Sequence, residues 1–520
     1  MYVSKRIPRA HQQKALDHLK DQKSFAILMA MRTGKTKVIS DDWGRLAEEG
    51  KVRDLLVIAP AGAYIPWREA LKADLPDALI AKTRIFTWVS AQRKRKDVQK
   101  ELADFIRYAG YRILLINIEA ISSVAEAKWL CEKFLISSSG KNMCVIDESV
   151  IIKNPSSKCS NFCVDKLGQL AEYKRILSGL VAPRSPLDVY QQYKFLNPSI
   201  FPEKYSAFKE NHVEYKRVCY LATKQVEYKY RNALKIPKDH PVRLTKDEMV
   251  EEIFKAGRYI PHIPFVKGYK NVERIAERIA PYSFRVKLED CFDMPPSDYS
   301  FWDVELTTQQ DHAYQEMRNF FSSEANNGAI VSASTIIVQM LRLHQILCGH
   351  TKDETGEIVS YPENRTKELL KILDDYDGKA IIWASYDENV KSISEGITKH
   401  FGKGSLARFW GGNRASRETE ELDFKTNPDC RFMVATPDAG GRGRTWDNAD
   451  LVIYYSSRNN LDHRAQSEER AKNIGKTRPI SYIDMRVPGT VEDKIIEALR
   501  KKIDLAALVA NDPKITNWII

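Results

Sequence analysis

Residues 31–36 (MRTGKT) and the adjacent pair Asp147-Glu148 are the residue types of a nucleoside-triphosphate site. In a glycine-lysine-threonine turn, backbone N–H groups and the lysine ammonium hold phosphates, while the threonine hydroxyl and a distant aspartate hold magnesium. Each segment follows a short apolar run, and about 110 residues separate the two. We therefore predict that Lys35 binds a phosphate of ATP, that Thr36 and Asp147 hold Mg²⁺, and that Glu148 orients or deprotonates the attacking water.

Short apolar runs alternate with amphipathic stretches through residues 1–200, which is typical of a parallel sheet with helices on both faces. Ligand-binding loops of such a sheet lie at the carboxyl ends of its strands, where the phosphate turn and the Asp-Glu pair both fall. The predicted strands are residues 26–29, 55–59, 113–116, 143–146 and 175–178.

A second alternating region runs from about residue 366 to 500 and predicts a second doubly wound parallel sheet, so the fold class is α/β. With the helical stretch before it, this region forms a predicted second lobe at residues 306–500. Residues 201–305 are rich in lysine, tyrosine and glutamate and are interrupted by prolines, which predicts an inserted, mostly helical module. Residues 501–520 remain as a C-terminal tail. The predicted strands are residues 380–383, 407–409, 432–435, 451–454 and 480–484, and the predicted helical stretches are 271–280, 309–347 and 490–508.

The composition of the 520 residues favours a polyanionic partner, nucleic acid before membrane. Lysine and arginine number 81 against 69 acidic residues, a net charge of +12. No apolar run reaches the roughly 18 residues that cross a bilayer, and the polar, basic N-terminus predicts no secretion signal. Eight cysteines without paired spacing indicate reduced thiols rather than a zinc site. We expect a cytoplasmic protein, nucleoid-associated or in a host cytoplasm if of phage origin.

Three charged segments each admit two interpretations. The glycines of residues 439–444 (AGGRGR) permit close approach to a phosphate, or the loop is a flexible surface turn. Residues 466–475 (QSEERAKNIG) begin a charged helix, which by itself is more often a solvated face. The third segment is a basic run that either contacts phosphates or ends a helix in solvent: Arg93, Lys94, Arg95 and Lys96.

In their order along the chain, these segments resemble the Swi/Snf-type ATPases of helicase superfamily two, from about residue 5 to residue 500. The Asp-Glu pair continues as VIDESVIIKNPSS at residues 145–157, and the Lys-Asn-Pro continuation is far more specific than Asp-Glu alone. The other matching segments are RAHQ (9–12), LVIAPAGAYIPW (56–67), FLNPSIF (195–201), YSFRVK (282–287) followed by Met294-Pro295-Pro296, ELTTQQDHAY (305–314), residues 440–474 and GTVEDK (489–494).

The resemblance implies two RecA-like, doubly wound parallel-sheet lobes with a helical insertion between them. It implies that ATP binds in the cleft between the lobes and that ATP-driven closure ratchets the chain along one DNA strand. It places Gln466 and Arg470 in the catalytic set, with Lys35, Asp147 and Glu148. The ATP-contacting positions that it implies are Gln12, Arg32, Thr33, Gly34, Lys35, Thr36, Gly441, Arg442 and Arg444.

The same resemblance places DNA across both lobes, held mainly through its phosphates, so that affinity depends strongly on salt. Trp410-Gly411 falls at the position of a DNA-contacting loop of the second lobe. Trp67 either stacks on a base or packs inside its lobe. Together with the basic run at residues 93–96, these residues form the predicted DNA-contacting set.

Four departures from the family pattern concern catalysis and coupling. Arg32 replaces a glycine of the phosphate turn. Val150 stands where the family commonly has histidine, and residues 178–181 (SGLV) replace Thr-Gly-Thr-Pro; both changes fall in segments that couple hydrolysis to DNA. Asn473 replaces the second arginine of the distal helix, the position of an arginine finger, which can be worth about a thousandfold in rate.

Several cations near Asn473 could replace the missing arginine. Lys472 and Lys476 lie beside it, and Arg442 and Arg444 lie in the glycine loop, where the family more often has leucine. We expect one of the two loop arginines to serve, because of their unusual placement on the cleft side.

These inferences predict a DNA-dependent ATPase that translocates on duplex, forked or branched DNA and remodels it, anneals its strands or displaces bound protein. Such work belongs to DNA replication, recombination or repair. We expect a monomer that uses ATP and Mg²⁺, binds DNA and no membrane, and is recruited by a protein that the sequence does not name.

Two alternatives remain at this point. An RNA helicase is disfavoured by the Lys-Asn-Pro continuation and by FLNPSIF, which belong to the duplex-DNA branch. An ATP-gated DNA-binding clamp with little hydrolysis is favoured by Asn473, Val150 and the SGLV segment. It is disfavoured by the intact Asp147 and Glu148, which a chain released from catalysis has no need to keep.

Overall fold

The computed structural model describes residues 2–60, 62–219, 223–237, 240–260, 263–293, 295–326, 333–353, 355–440, 444–473 and 475–509. The predicted ATP-contacting residues Gly441 and Arg442 lie outside the described residues, as do Met294 and residues 510–520 of the predicted tail. Within the described ranges, no helix combines the length and the apolar character that crossing a bilayer requires.

The first part of the chain alternates strands and helices as the sequence predicts. The five strands predicted for residues 1–200 are confirmed, and a sixth, β3, was not predicted. The elements are α1 (Ala10–Leu19), β1 (Ser24–Met29), α2 (Lys35–Glu48), β2 (Asp54–Ala59), α3 (Tyr64–Asp74), α4 (Asp77–Ile80), β3 (Thr83–Thr87), α5 (Lys96–Arg107), β4 (Tyr111–Asn117), α6 (Ile118–Ser123), α7 (Ala125–Ser137), β5 (Asn142–Ile146), α8 (Lys158–Asn161), α9 (Gly168–Leu170), β6 (Tyr173–Leu177) and α10 (Val189–Leu196).

The next part forms a module that projects from this lobe and then returns to it. Its elements are α11 (Tyr205–His212), β7 (Val213–Val218), α12 (Thr223–Leu234), α13 (Lys246–Lys255), β8 (Ile263–Tyr269), α14 (Val272–Ile279) and β9 (Ser283–Val286). Helices α12 and α13 share a small apolar core around Val226 and Ile253. The prediction of a mostly helical module misses the antiparallel pair β7–β8, because the two strands lie far apart in sequence and pair only with each other.

The first sheet is entirely parallel, in the order β3-β4-β2-β5-β6-β1-β9. Its central strands are buried on both faces, as expected for a parallel sheet covered by helices. The two unpredicted members, β3 and β9, are the edge strands, whose sequences TRIFT and SFRV are short and partly polar. Because β9 pairs with β1, the chain closes the first lobe within the residues expected to form the insertion.

The second lobe is a six-stranded parallel sheet in the order β10-β17-β16-β13-β15-β14. The five strands predicted for this region are confirmed. The elements are β10 (Asp298–Asp303), α15 (Thr308–Asn326), α16 (Ala333–Leu347), β11 (His350–Lys352), β12 (Ile358–Ser360), α17 (Arg365–Asp374), β13 (Ala380–Trp383), α18 (Asp387–Phe401), β14 (Leu406–Phe409), α19 (Arg417–Thr426), β15 (Phe432–Ala435), α20 (Pro437–Gly440), β16 (Leu451–Tyr454), α21 (Leu461–Glu468), β17 (Ser481–Arg486) and α22 (Val491–Val509).

Two expected boundaries differ from the observed ones. Strand β10 pairs with β17, so the second sheet begins before residue 306. Helix α22 continues to Val509, past the expected start of a tail at residue 501. This helix joins the lobes, because its Leu499 and Ile503 form an apolar cluster with Leu461 of α21 and with Leu180 of the first lobe.

Candidate active site

The phosphate turn connects the carboxyl end of β1 to the first turn of α2. Gly34 precedes α2 with φ +87°, and a Cβ at this position would lie 2.3 Å from Nε2 of Gln12, so only glycine fits. Arg32 also has a positive φ, +63°, which is uncommon for a residue with a Cβ. The turn therefore keeps a glycine-type backbone at residue 32 while carrying an arginine side chain there.

The start of α1 is fastened to this turn. Nε2 of Gln12 donates to the carbonyl of Thr33 at 3.0 Å, and Nε2 of His11 lies 2.8 Å from the same oxygen. Phe292, from the segment that links the lobes, packs edge-on against His11 and lies under the guanidinium of Arg9. Gln12, a predicted ATP-contacting residue, thus lies next to the phosphate turn. No sequence pattern pointed to Phe292, which arrives from far along the chain.

Lys35 lies at the end of the strand with its charge directed at backbone oxygens. Its Nζ donates to the carbonyl of Met29 at 3.0 Å and approaches that of Ala30 at 3.4 Å. Thr36 lies in the first turn of α2, where backbone N–H groups and the helix dipole favour an anion. The ammonium, the glycine turn and the helix start together fit a bound triphosphate.

Asp147 lies at the carboxyl end of β5 and is oriented by two donors. Its Oδ2 accepts from Nε1 of Trp67 at 2.9 Å, and its Oδ1 accepts from the backbone N–H of Glu148 at 2.9 Å. Burial raises the pKa of Asp147, although the Trp67 hydrogen bond and the Lys35 charge oppose that rise. A partly buried carboxylate offers oxygen ligands that suit Mg²⁺, which Thr36 and Asp147 would hold. When bound, the ion would neutralise charge on the phosphate oxygens.

The prediction that Trp67 stacks on a DNA base is wrong. Its side chain is 2 % exposed and belongs to the apolar core on one face of the first sheet. A ring inside the core cannot reach a nucleotide, and its N–H is occupied by Asp147. Trp67 therefore orients Asp147, the predicted magnesium ligand, instead.

Arg470 of the second lobe reaches the phosphate turn of the first. Its Nη2 lies 3.2 Å from Sδ of Met31, and its backbone carbonyl accepts from Nη2 of Arg32 at 3.2 Å. Burial lowers the pKa of Arg470 to about 10, as does the charge of Arg32, whereas Glu469 and Glu148 oppose that change. The predicted water-orienting Glu148 is thus close enough for its charge to act on the predicted catalytic Arg470.

The structure contradicts the expectation that Arg444 contacts ATP and supplies the missing finger. Its Nη1 donates to Glu421 of α19 at 2.9 Å, and its guanidinium lies over the ring of Phe409. These contacts hold the charge inside the second lobe. Arg442, the other candidate of the glycine loop, falls outside the described residues.

The two lysines beside Asn473 are also engaged. Lys472 forms an ion pair with Glu469 at 2.9 Å, and Nζ of Lys476 donates to the carbonyls of Asp447 and Ala471 at 3.0 Å. The amide of Asn473 itself donates to the carboxylate of Asp447. The position of the family's second arginine is therefore occupied by a neutral side chain that binds an acidic neighbour.

A cavity of about 550 Å³ separates the lobes next to these groups. Glu148 and Met31 line it from the first lobe, and Gln466 and Glu469 line it from the second. The Nε2 of Gln466 donates to Asp462 at 2.8 Å, and its backbone carbonyl accepts from Arg470. The volume is within the range of small-molecule sites, and, of the predicted catalytic residues, Glu148 and Gln466 line its walls.

A buried glutamine links the two segments that depart from the family pattern. The hydroxyl of Ser149 donates to Oε1 of Gln192 at 2.6 Å, and Nε2 of Gln192 donates to the carbonyl of Val181 at 2.8 Å. Gln192 is fully buried in α10. Val150, which follows Ser149 in the chain and cannot make such a bond, is also buried. The sequence reasoning missed Gln192, although a polar pair within the apolar helix VYQQYKFL was the available signal.

The other predicted DNA contacts lie at the surface. Lys94 and Lys96 are exposed before and at the start of α5, whereas Arg95 pairs with Asp97 and Arg93 donates to the carbonyl of Ser90. Trp410 is partly packed on the second lobe's core, and Gly411 is exposed. Contact of these residues with DNA stays a prediction.

Comparison with known proteins gives two family matches and many relatives. The SNF2-related domain matches residues 11–352, and the helicase conserved C-terminal domain matches residues 364–475. Mouse DNA annealing helicase and endonuclease ZRANB3 is 20% identical over 467 residues, which are 88% of this chain and 37% of that protein. The TATA-binding protein-associated factor mot1 of Aspergillus fumigatus is 22% identical over 510 residues, 92% of this chain and 25% of that protein.

The comparison also gives a shorter sequence match and a solved structure. The CHD3-type chromatin-remodeling factor PICKLE of Arabidopsis thaliana is 24% identical over 303 residues, 53% of this chain and 22% of that protein. The Sulfolobus solfataricus SWI2/SNF2 ATPase core in complex with dsDNA covers 99% of this chain and 96% of its own, with 20% identity and a TM-score of 0.37. This chain spans well under half the length of the three relatives. Because the SNF2-related model matches well over half of the chain, the chain belongs to the SNF2-related family of helicase-like ATPases.

Proposed function

We propose that the protein is an ATP-dependent translocase or helicase that acts on duplex, forked or branched DNA. The observation that carries the proposal is the contact of Arg470 with the phosphate turn, since it assembles one site from two lobes. A site shared in this way is complete only when the lobes are closed. Hydrolysis would then open and close them, which is the motion that a translocase needs.

Each side chain of the site has a defined task in this proposal. Lys35 and the turn hold the phosphates, and Thr36 and Asp147 hold Mg²⁺. Glu148 orients the attacking water and accepts its proton. Arg470 neutralises charge that develops on the transferred phosphoryl group.

The charge distribution supports a nucleic-acid partner. Within the inserted module, the segment at residues 213–270 contains thirteen lysines and arginines and seven acidic residues. Its net charge is +6, against +12 for the whole chain. Together with Lys94 and Lys96, this module offers phosphate contacts that carry little sequence preference. Because one relative is a DNA annealing helicase, remodelling or annealing of branched DNA is the activity that we favour.

An ATP-gated clamp that binds DNA with little turnover is the second candidate. The observation in its favour is Asn473, whose amide binds Asp447 in place of an arginine finger. The two candidates differ in turnover, not in binding.

Steady-state ATP hydrolysis with no nucleic acid, single-stranded DNA, duplex, forked DNA and RNA tests the proposal. We expect strong stimulation by duplex or forked DNA, and a loss of about 10²–10⁴-fold in the Glu148→Gln variant, as for removal of a general base. ATP binding should survive in that variant, which is its internal control. Binding without turnover on every polymer would support the clamp, and stimulation by RNA alone would exclude DNA as the substrate.

A further inference from the structure

Two arginine side chains from different lobes meet at the phosphate turn. Nη2 of Arg32 donates to the carbonyl of Arg470, and burial lowers the pKa of both guanidinium groups. Each charge is therefore unfavourable where it lies, and the charge of Arg32 lowers the pKa of Arg470 further. Nη1 of Arg32 is buried and finds no hydrogen-bond partner within the described ranges. Such a pair is stabilised by an anion between or beside the two groups.

The charge of Arg32 acts on the same acidic residue that binds Asn473. Glu469 and Asp447 of the second lobe raise the pKa of Arg32, so its guanidinium lies within their electrostatic reach. Asp447 is also the residue that binds the amide of Asn473. An arginine at residue 473 would therefore place its charge beside the same carboxylate that the Arg32 charge now approaches from the first lobe.

The backbone at residue 32 shows that this arginine is kept against a conformational preference. Its φ of +63° is left-handed, a region that glycine adopts freely and that costs a residue with a Cβ about 1–3 kcal/mol. The family has glycine here. A strained arginine in place of an unstrained glycine is accounted for if its side chain contributes to the reaction.

We propose that Arg32 is the arginine finger of this protein, supplied from the phosphate turn itself in place of the arginine that Asn473 replaces. The water oxygen attacks the γ-phosphorus, the bond between that phosphorus and the β–γ bridging oxygen breaks, and the water proton passes to Glu148. ADP and inorganic phosphate leave. Arg32 and Arg470 donate to the oxygens on which negative charge accumulates, and neither gains nor loses a proton. This inference rests on the proposed ATP hydrolysis.

The test removes the side chain without disturbing the backbone. Arg32→Gly is the suitable variant, because glycine adopts the observed φ without strain. We expect kcat to fall at least about a hundredfold, since arginine fingers contribute on the order of a thousandfold or more. ADP affinity should stay unchanged because ADP lacks the γ-phosphate, whereas affinity for ADP with aluminium fluoride, a mimic of the transferred group, should fall. Arg107→Ala, an exposed arginine at the end of α5, is the matched control.

A second variant tests the compensation directly. In Arg32→Gly/Asn473→Arg the charge returns to the family position, and we expect most of the lost kcat to be recovered. Wild-type turnover in Arg32→Gly, together with a dead Glu148→Gln, would overturn the finger while leaving the proposed function intact. A loss that Asn473→Arg does not restore, with unchanged affinity for ADP and aluminium fluoride, would also overturn it by assigning Arg32 a structural role. An inactive wild type on every polymer would refute both the proposed function and this inference.

Discussion

The two faces of the cleft use their charged residues in opposite ways. On the first lobe, the cations Lys35 and Arg32 donate to backbone carbonyl oxygens rather than to carboxylates. On the second lobe, most cations near the cleft are taken by acidic neighbours. Arg464 pairs with Asp484 and Glu468, Lys472 with Glu469, and Arg444 with Glu421.

This difference distinguishes charged side chains that stabilise the fold from charged side chains that are available to bind phosphate. A buried arginine that lies between two carboxylates fixes the position of its helix, and its charge is already balanced by those carboxylates. Among the described residues of the second lobe, Arg470 is the cation whose guanidinium touches the phosphate turn. Under the Arg32 proposal, the first lobe supplies further positive charge to the site.

The strongest effect that we predict is on turnover, and it compares two arginines of the second lobe. Arg470→Ala should lower kcat about a thousandfold, because an arginine that faces the transferred phosphoryl group is lost. Arg444→Ala should leave kcat near the wild-type value, since its charge serves Glu421, which also keeps Lys425 and Trp446 as partners. Turnover at saturating ATP and DNA measures both variants. Equal losses would contradict the separation of the two roles.

The next effect is on stability and concerns a buried ion pair between helices α17 and α22 of the second lobe. Oε2 of Glu492 accepts from Arg365 at 2.7 Å, and Oε1 lies 3.3 Å from Nε2 of His344. Glu492→Gln leaves a buried guanidinium without its counter-charge, so we expect the free energy of unfolding to fall by about 3–5 kcal/mol. Urea unfolding at neutral pH measures it. Glu497→Gln on the same helix breaks an exposed pair and should have no measurable effect.

The pH dependence of the same variant has a defined sign. Burial opposes ionisation of Glu492, but the charges of Arg365 and His344 lower its pKa from an ordinary 4.5 to about 2. The stabilisation by a depressed carboxyl pKa is fully present above the unfolded-state pKa and is lost as pH falls through the folded one. The difference in unfolding free energy between wild type and Glu492→Gln should therefore shrink between pH 4.5 and pH 2. A constant difference would contradict the ion pair.

A smaller effect on the first lobe tests the support of the magnesium ligand. Trp67→Phe removes the N–H that binds Asp147, which should cost about 1–3 kcal/mol of interaction with a charged acceptor. Because that hydrogen bond lowers the pKa of Asp147, its loss should weaken the apparent Mg²⁺ affinity in ATP hydrolysis. The matched control is Trp43→Phe, since the buried Nε1 of Trp43 has no partner among the described residues. Equal Mg²⁺ dependence in both variants would refute the role of Trp67.

A further substitution tests the hydrogen bonds by which Gln192 links Ser149 to Val181. Gln192→Leu removes the bonds to Ser149 and to the carbonyl of Val181, each worth about 1 kcal/mol. We expect the stimulation of hydrolysis by DNA to fall about fivefold while turnover without DNA is retained. Gln191→Leu is the control, because Gln191 binds Asn161 instead. If both variants lose stimulation alike, Gln192 has no special part in coupling.

The weakest effect concerns the basic run before α5. Lys94→Ala/Lys96→Ala should lower the slope of log affinity for duplex DNA against log salt by about 0.9 for each DNA phosphate that the variant no longer neutralises. Filter binding over a salt series measures the slope. An unchanged slope would show that these exposed lysines are solvated and bind no phosphate.

Local patterns in the sequence are enough to predict the elements that carry the chemistry. The Gly34-Lys35-Thr36 turn after a buried strand, the Asp147-Glu148 pair and ten of the strands follow from short runs whose neighbours in sequence are also neighbours in space. The edge strands β3, β9 and β10 were not predicted from the sequence. A strand that pairs on one side only is less buried, so its sequence need not be a continuous apolar run. The pair β7–β8 did not follow either, since its partners are distant in sequence.

The choice of the side chains that serve the site depends on the packing of the two lobes. The sequence allows Trp67 to lie at the surface and stack on a base. In the fold, its N–H donates to Asp147, 80 residues away. The position of Arg444 in a glycine loop predicts a place at the cleft, yet its guanidinium donates to Glu421 of α19. Arg32 and Arg470 meet across the lobes although 438 residues separate them. Such partners are determined by how whole layers of the structure pack together. A local sequence pattern therefore cannot predict which residue a side chain will contact across the cleft.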